Sequence, residues 1–167
     1  MSVTRTLGNA YAMSGRLREG LDLLRRALAM LEANGYRRQY ATCFLEQLGR
    51  ALLVKGEIDE AHALALRALT QARARGERGW EAYSLWLLGD VAARREYASV
   101  EVAERHYREA ITLATALAMQ PPIARVHREL GTLYDSVAGK SESARTHLAT
   151  AHAMAHELGL QDLTASD

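Results

Sequence analysis

The histidines have the widest chemical range of any side chains in this 167-residue chain, because imidazole can bind a metal or transfer a proton near neutral pH. His152 and His156 lie four residues apart, a spacing that places two imidazoles on one helical face, where they could bind zinc. A zinc site needs three or four protein ligands, and no further ligand is apparent beside this pair. We therefore interpret the pair as a solvated helix face and predict no metal. The other four histidines have no ligand spacing: His62, His106, His127 and His147.

Cys43 is the only thiol, so no internal disulfide can form, which fits a reducing compartment. No histidine is placed beside it as a general base, and a buried apolar role is favoured. The isolated glycines do not form the G-x-x-x-x-G-K loop that binds phosphates. Three carboxylates open a helix, where negative charge favours the helix dipole: Glu57, Asp59 and Glu60. With no catalytic constellation and no cofactor motif, we predict that the chain is not an enzyme and has no cofactor.

The charge balance argues against nucleic acid as the main partner. The chain has 21 basic and 20 acidic residues, for a net charge of +1, whereas a nucleic-acid binder usually has a basic excess or patch. Three arginine pairs lie at different helical phases and are balanced by nearby acids: Arg25-Arg26, Arg37-Arg38 and Arg94-Arg95. No apolar run reaches the length of a membrane span, and no secretory signal pattern opens the chain. We therefore predict a cytoplasmic protein without a membrane partner.

Four Leu-Gly pairs recur along the chain at intervals of 41, 40 and 42 residues: Leu7-Gly8, Leu48-Gly49, Leu88-Gly89 and Leu130-Gly131. A marker alanine recurs later in each unit, at Ala27, Ala68, Ala110 and Ala151. A helix-stop position lies eight residues after each of these alanines: Gly35, Gly76, Ala118 and Gly159. Markers in step indicate one structural unit copied four times. We predict a single domain over residues 1–167. Its repeats cover about 1–35, 36–76, 77–119 and 120–160, with a tail over 161–167.

The elements that must position these residues are helices. Good helix formers dominate, and proline is absent before Pro121-Pro122, which suits a helix start. Apolar residues recur at spacings of three and four, as at Leu21, Leu24 and Leu28, which indicates amphipathic helices rather than strands. Ser99 is a predicted N-cap. The pattern predicts eight helices, over residues 2–13, 16–34, 37–54, 57–75, 78–94, 99–118, 121–138 and 141–158.

The glycine of each Leu-Gly pair lies inside a predicted first helix, where glycine costs about 0.5–1 kcal/mol. Its recurrence there predicts that the second helix of the unit crosses at close range. The predicted crossing partners are the small residues early in each second helix: Gly20, Ala61, Ala103 and Ala144.

The first unit reads L-G-x-x-Y from Leu7 to Tyr11, and the fourth unit repeats this motif from Leu130 to Tyr134. The pattern resembles the tetratricopeptide repeat (TPR), whose standard length is 34 residues. Units of about 41 residues resemble those of kinesin light chains, polarity adaptors and bacterial signalling ATPases. Residues 103–163 resemble the C-terminal repeats of bacterial adenylate-cyclase-like or LuxR-type regulators. The resemblance implies an all-α, right-handed α-α superhelix of four helix pairs, with the first helices lining a concave groove.

That geometry implies ten peptide-binding groove residues: Arg5, Asn9, Glu46, Arg50, Tyr83, Trp86, Asp90, Arg94, Arg125 and Arg128. The set combines arginine with tyrosine and tryptophan, the residue types that are enriched at interface hot spots. We therefore predict an interaction scaffold that binds an acidic peptide or partner segment, as a module of a bacterial signalling or regulatory protein. In the other interpretation, Trp86 and Tyr83 pack between helices and the arginines are solvated.

Two further functions remain open at this stage. A small-molecule-sensing domain that controls an attached effector would need a closed apolar cavity. A self-assembly module would form a homodimer through uncapped ends, because terminal repeats need a polar outer face. The second alternative predicts exposed apolar residues at the C-terminal end: Ala155, Leu158, Leu160 and Leu163.

Overall fold

The computed structural model describes residues 17–33, 40–95, 99–160 and 163. That part of the chain forms seven helices and no strand. In chain order they are α1 (Leu17–Ala33), α2 (Ala41–Lys55), α3 (Ile58–Arg75), α4 (Arg78–Arg94), α5 (Val100–Ala116), α6 (Gln120–Asp135) and α7 (Ser141–Leu158).

The helices are arranged as a two-layer solenoid. Each helix packs against the next one along the chain, so that α2–α3, α4–α5 and α6–α7 form hairpin pairs. Beyond sequence neighbours, α2 also packs against α4, and α4 against α6. The first helices of the pairs therefore form one layer, and α1, α3, α5 and α7 lie on its outer side. This confirms the predicted all-α solenoid.

The helix bounds agree with the prediction for most elements. The helix predicted over 2–13 lies outside the described residues, as does Gly35. Ser99 caps α5 as predicted, since its Oγ accepts a hydrogen bond from the Val102 amide at 3.3 Å. The two prolines lie in the first turn of α6. The two main differences are that α2 begins at Ala41 rather than at residue 37 and that α6 ends at Asp135 rather than at residue 138.

The helix-stop positions adopt the left-handed conformation that ends a helix. Gly76 has φ 67° after α3, and Gly159 has φ 66° after α7. The equivalent position after α5 is Ala118, which has φ 54° and is the only non-glycine residue with positive φ in the described ranges. A Cβ is disfavoured in this conformation, so the third unit ends its second helix at a local energetic cost.

The mid-helix glycines are crossing points, but their partners differ from those predicted. A Cβ placed on Gly89 would lie 2.5 Å from the Tyr107 ring, and one on Gly131 would lie 2.6 Å from Leu148 Cγ. The predicted partners, Ala103 and Ala144, lie one turn earlier on α5 and α7. A Cβ placed on Gly49 would lie 3.5 Å from the carbonyl oxygen of its predicted partner, Ala61, but closer to Leu87 Cδ2, at 2.7 Å. Large side chains fill the space that each glycine leaves, which composition alone does not reveal.

The main core runs continuously from α1 to α7, and Cys43 is buried in it as predicted. A second small cluster combines Ala124, Ala155 and Leu163. Ala155 is fully buried and Leu163 is 9% exposed, so the prediction that both are exposed is wrong. The reason is that the chain turns after Gly159 and places Leu163 against α6 and α7. In the described part of the chain, no helix is both long and apolar enough to cross a membrane.

Candidate functional site on the first helices

The predicted groove residues that the structure describes all lie on α2, α4 and α6, whose shared surface we call the first-helix face. Arg5 and Asn9 lie outside the described residues. Three members of the set are buried, at 3%, 9% and 8% exposure respectively: Glu46, Trp86 and Asp90. The more accessible members are Arg50, Tyr83, Arg94, Arg125 and Arg128.

Arg50 is the centre of an ionic cluster that joins α2 to α4; its own side chain is 25% exposed, and the two carboxylates that it contacts are buried. Its Nε pairs with Glu46, one turn earlier on α2, and its Nη1 donates to Asp90 Oδ2 at 2.8 Å. The guanidinium also lies over the Trp86 ring, 3.8 Å from the ring centroid, in a cation–π contact. One cation thus bridges two carboxylates from neighbouring repeats.

Tyr107 connects this cluster to the outer layer. Its hydroxyl donates a hydrogen bond to Asp90 Oδ1 at 2.8 Å, from α5. The ring that makes this bond is the same ring that packs over Gly89. The sequence prediction missed Tyr107, although its position one turn after Ala103 marks it as a residue at the crossing.

Burial dominates the titration behaviour of the cluster. It raises the pKa of Asp90 to about 6, against the opposing effect of Arg50. Burial and the neighbouring Asp90 raise the pKa of Tyr107 above its ordinary value. For Arg50, burial lowers the pKa, but the attraction of Glu46 and Asp90 outweighs it and the net shift is upward. Arg50 is therefore a permanent cation that holds Asp90 ionised near neutral pH.

An aromatic column extends from the cluster along α4. Tyr83 stacks on Trp86 with 6.2 Å between ring centroids, and Trp80 follows at 5.4 Å from Tyr83. Arg94, at the other end of α4, donates to the Leu53 carbonyl at 3.4 Å and is otherwise exposed. On α6, the side chain of Arg128 is 40% exposed and pairs with Glu129 at 3.1 Å.

These positions bear on both interpretations of the aromatic residues. Trp86 is packed between helices, as the second interpretation expected, and its neighbours Glu46 and Asp90 are buried with it. The arginines of α4 and α6 keep partly accessible side chains beside them. The first-helix face therefore consists of a buried, ordered floor and an accessible arginine rim of Arg94, Arg125 and Arg128.

The histidines are brought together in ways that their spacing did not indicate. His127 Nδ1 and His147 Nδ1 are 2.8 Å apart between α6 and α7. His62 and His106 line one small cavity between α3, α4 and α5. His152 and His156 are exposed on α7, as the solvated interpretation expects. Among the described residues, no group of three or more His, Cys, Asp or Glu side chains could hold a metal ion.

An open cleft of about 650 Å³ lies between α3, α4 and α5. Charged residues form most of its lining: Arg73, Arg78, Glu81, Glu101, Glu104, Arg105, Arg108 and Glu109. It is not the closed apolar chamber that a small-molecule sensor would need.

No protein-family model matches the chain, and no curated protein matches it. Among solved structures, the chain is similar to the nearly identical TPR-like repeats of a putative kinesin light chain from Podosopora anserina, with 19% identity and a TM-score of 0.41 over 94% of this chain and 95% of that chain. A variant of the same repeats has 19% identity and a TM-score of 0.42 over 95% of each chain. At these values, the assignment of the chain as an α-α solenoid rests on its own helices and their packing.

Proposed function

We propose that this solenoid binds an acidic segment of a partner protein along the first-helix face. The observation that carries the proposal is the arginine rim: Arg94, Arg125 and Arg128 keep accessible side chains on α4 and α6, the helices of the first-helix face, and α4 also carries the half-buried Tyr83. Arginine presents a planar fork that matches a carboxylate, and tyrosine offers rigid contact area at little entropic cost.

The buried cluster beneath the rim supports this proposal. Arg50, Asp90 and Tyr107 fix α2, α4 and α5 relative to one another through two hydrogen bonds of 2.8 Å. A face whose floor is already ordered loses little conformational entropy when a ligand binds. The binding energy is then contributed by the rim, and the cluster sets the spacing of the helices that present it.

The other two functions have less support. The larger cavity is open and charged, which suits an extended partner better than a small apolar ligand. Burial of Ala155 and Leu163 removes part of the apolar surface from the end through which a homodimer was predicted, where Leu158 is 38% exposed as expected. In line with the repeat resemblance, we propose that the chain serves as an interaction module of a bacterial signalling or regulatory protein, without a catalytic step of its own.

Charge reversal on the rim tests the proposal. Labelled glutamate-rich and lysine-rich peptides of equal length are titrated into the protein, and binding is followed by fluorescence anisotropy. The wild type is expected to bind the acidic peptide, and the double variant Arg94→Glu/Arg128→Glu should bind it at least about tenfold more weakly, because one or two charged contacts of about 1.4 kcal/mol are lost.

The matched control is the double variant Arg26→Glu/Arg145→Glu, which makes the same charge change at exposed positions of α1 and α7. It should leave the affinity within about twofold of wild type. An equal loss in this control would show that the peptide responds to overall charge and not to the rim. If the wild type does not bind the acidic peptide, the proposal is refuted.

A further inference from the structure

A small cavity of about 150 Å³ lies between α3, α4 and α5, near the end of α4 and the start of α5. It is separate from the arginine rim on the first-helix face. Its lining is half apolar and half polar, and the polar members are His62, Arg95, Ser99 and His106. At roughly 30 Å³ per water molecule, it has room for about five waters, or for a tetrahedral oxyanion with one or two waters. It is too small for a nucleotide.

Arg95 is the cation of this cavity. Its Nη2 lies 3.2 Å from His62 Nδ1 and donates to Asp59 Oδ1, also at 3.2 Å. The Asp59 side chain is 97% exposed, so its ion pair with Arg95 is weak and exchanges readily with other anions. Asp59 thus occupies the position of a replaceable counter-ion.

His106 lines the cavity from α5. Its Nδ1 is buried and has no hydrogen-bond partner among the described residues. A buried polar atom without a partner is costly, and a ligand or water that reaches it recovers that cost. The imidazoles of His62 and His106 and the Arg95 guanidinium all line one space of phosphate size.

We propose that this cavity binds a small oxyanion, such as phosphate or sulfate, through Arg95, His62 and His106, with Asp59 displaced from Arg95. The guanidinium supplies the fixed charge and two parallel donors. Each imidazole donates one hydrogen bond when its nitrogen facing the anion carries a proton. The apolar half of the lining comes from α4 and α5 and shields these contacts from bulk water.

Binding should strengthen on acidification. Burial, then the charge of Arg95, lowers the pKa of His62, while Asp59 opposes the shift. Burial, then Arg105, lowers the pKa of His106, with Glu109 opposing and with His62 and Arg73 adding to the lowering. Both imidazoles are therefore neutral at pH 7 in the free protein. An anion favours their protonated forms, so binding and protonation are linked.

The test uses the six histidines as internal probes. Sulfate, which keeps its charge from pH 5 to 8, is titrated against sodium chloride of equal ionic strength while the histidine C2–H NMR signals are recorded. The His62 and His106 signals should shift with saturation, and the apparent affinity should rise severalfold from pH 8 to pH 6. The signals of the other four histidines should shift equally in sulfate and in chloride.

Two variants with opposite expected effects sharpen the test. Arg95→Gln should weaken sulfate binding at least tenfold, because the fixed charge is lost. Asp59→Asn should strengthen it about two- to fivefold, because a competing carboxylate of surface ion-pair strength is removed. The matched control is Arg67→Gln. The side chain of Arg67 is 46% exposed, against 43% for Arg95, and its ion pair with Glu32 joins the outer helices α3 and α1.

A second arm replaces sulfate by inorganic phosphate or by methyl phosphate. Equal affinity for the two would show that the site accepts a phosphate group carried by a larger molecule, and a preference for inorganic phosphate would assign it to the free ion. The proposal is overturned if His62 and His106 respond no more than the other histidines, or if Asp59→Asn weakens binding. Both results are independent of peptide binding on the first-helix face.

Discussion

Removal of the Arg50 side chain is the most informative perturbation of this molecule, because one cation neutralises two buried carboxylates. In Arg50→Ala, Glu46 and Asp90 keep their positions, with side chains that are 4% and 12% exposed, and have no guanidinium between them. Loss of one partner from a buried ion pair costs about 3–5 kcal/mol, because the remaining charge is uncompensated. The contact with the Trp86 ring, of about 1 kcal/mol, is lost as well. We expect the free energy of unfolding at pH 8 to fall by about 4–6 kcal/mol.

The loss of unfolding free energy in Arg50→Ala should be smaller at lower pH, and the titration of Asp90 determines the sign of this pH dependence. Its pKa is raised in the folded state to about 6, so the folded state binds more protons than the unfolded chain between pH 4 and pH 6. Arg50 opposes that rise, so the pKa of Asp90 should be higher still in Arg50→Ala. At pH 5 the carboxyl is then neutral in the variant, and we expect a loss of about 1–2 kcal/mol.

Urea denaturation, followed by circular dichroism at pH 8 and pH 5, measures both values. The control variant is Arg67→Ala, whose partner Glu32 lies on α1 and whose side chain is 46% exposed. It should cost at most about 1 kcal/mol at either pH, as exposed pairs do. The reasoning is refuted if Arg50→Ala costs no more than this control at pH 8, or if its cost is the same at both pH values.

Three further predictions concern single positions. Ala118→Gly should raise the free energy of unfolding by about 0.5–1 kcal/mol, because φ 54° strains a Cβ; a lower urea midpoint in this variant would contradict it. Gly89→Leu should lower the free energy of unfolding by about 2–3 kcal/mol, since a Cβ there meets the buried Tyr107 ring at 2.5 Å, and an unchanged thermal midpoint would exclude that crossing. Burial, together with the neighbouring imidazole, lowers the pKa of His127, and burial and Arg108 lower that of His147, so both favour the neutral form in the folded protein. Stability should therefore fall as the pH falls below about 6.5, and it should fall less in His147→Gln in the same urea series.

Part of the candidate site could be predicted from the sequence because its residues lie at equivalent positions of successive repeats. Arg50 and Asp90 are 40 residues apart, close to one repeat, so the repeat spacing placed both on the first-helix face. The prediction did not include their direct contact or the burial of Asp90 with Trp86. Those features depend on how closely α2 and α4 approach, and that distance is set by packing across several helices.

The features that the sequence alone determines depend on interactions between residues close together in the chain, whereas the features that need the tertiary structure depend on interactions between different helices. Helix starts and stops depend on backbone groups within about four residues, so Ser99, the prolines of α6 and Gly159 could be identified from the sequence alone. The repeat period likewise determined that the chain is a stack of helix pairs. Tertiary structure alone decided that Tyr107 donates a hydrogen bond to Asp90 and that His62 and His106 line one cavity, since each pair comes from two different helices. The angle and register at which helices cross come from the sum of many side-chain contacts, and no local pattern in the sequence encodes that sum.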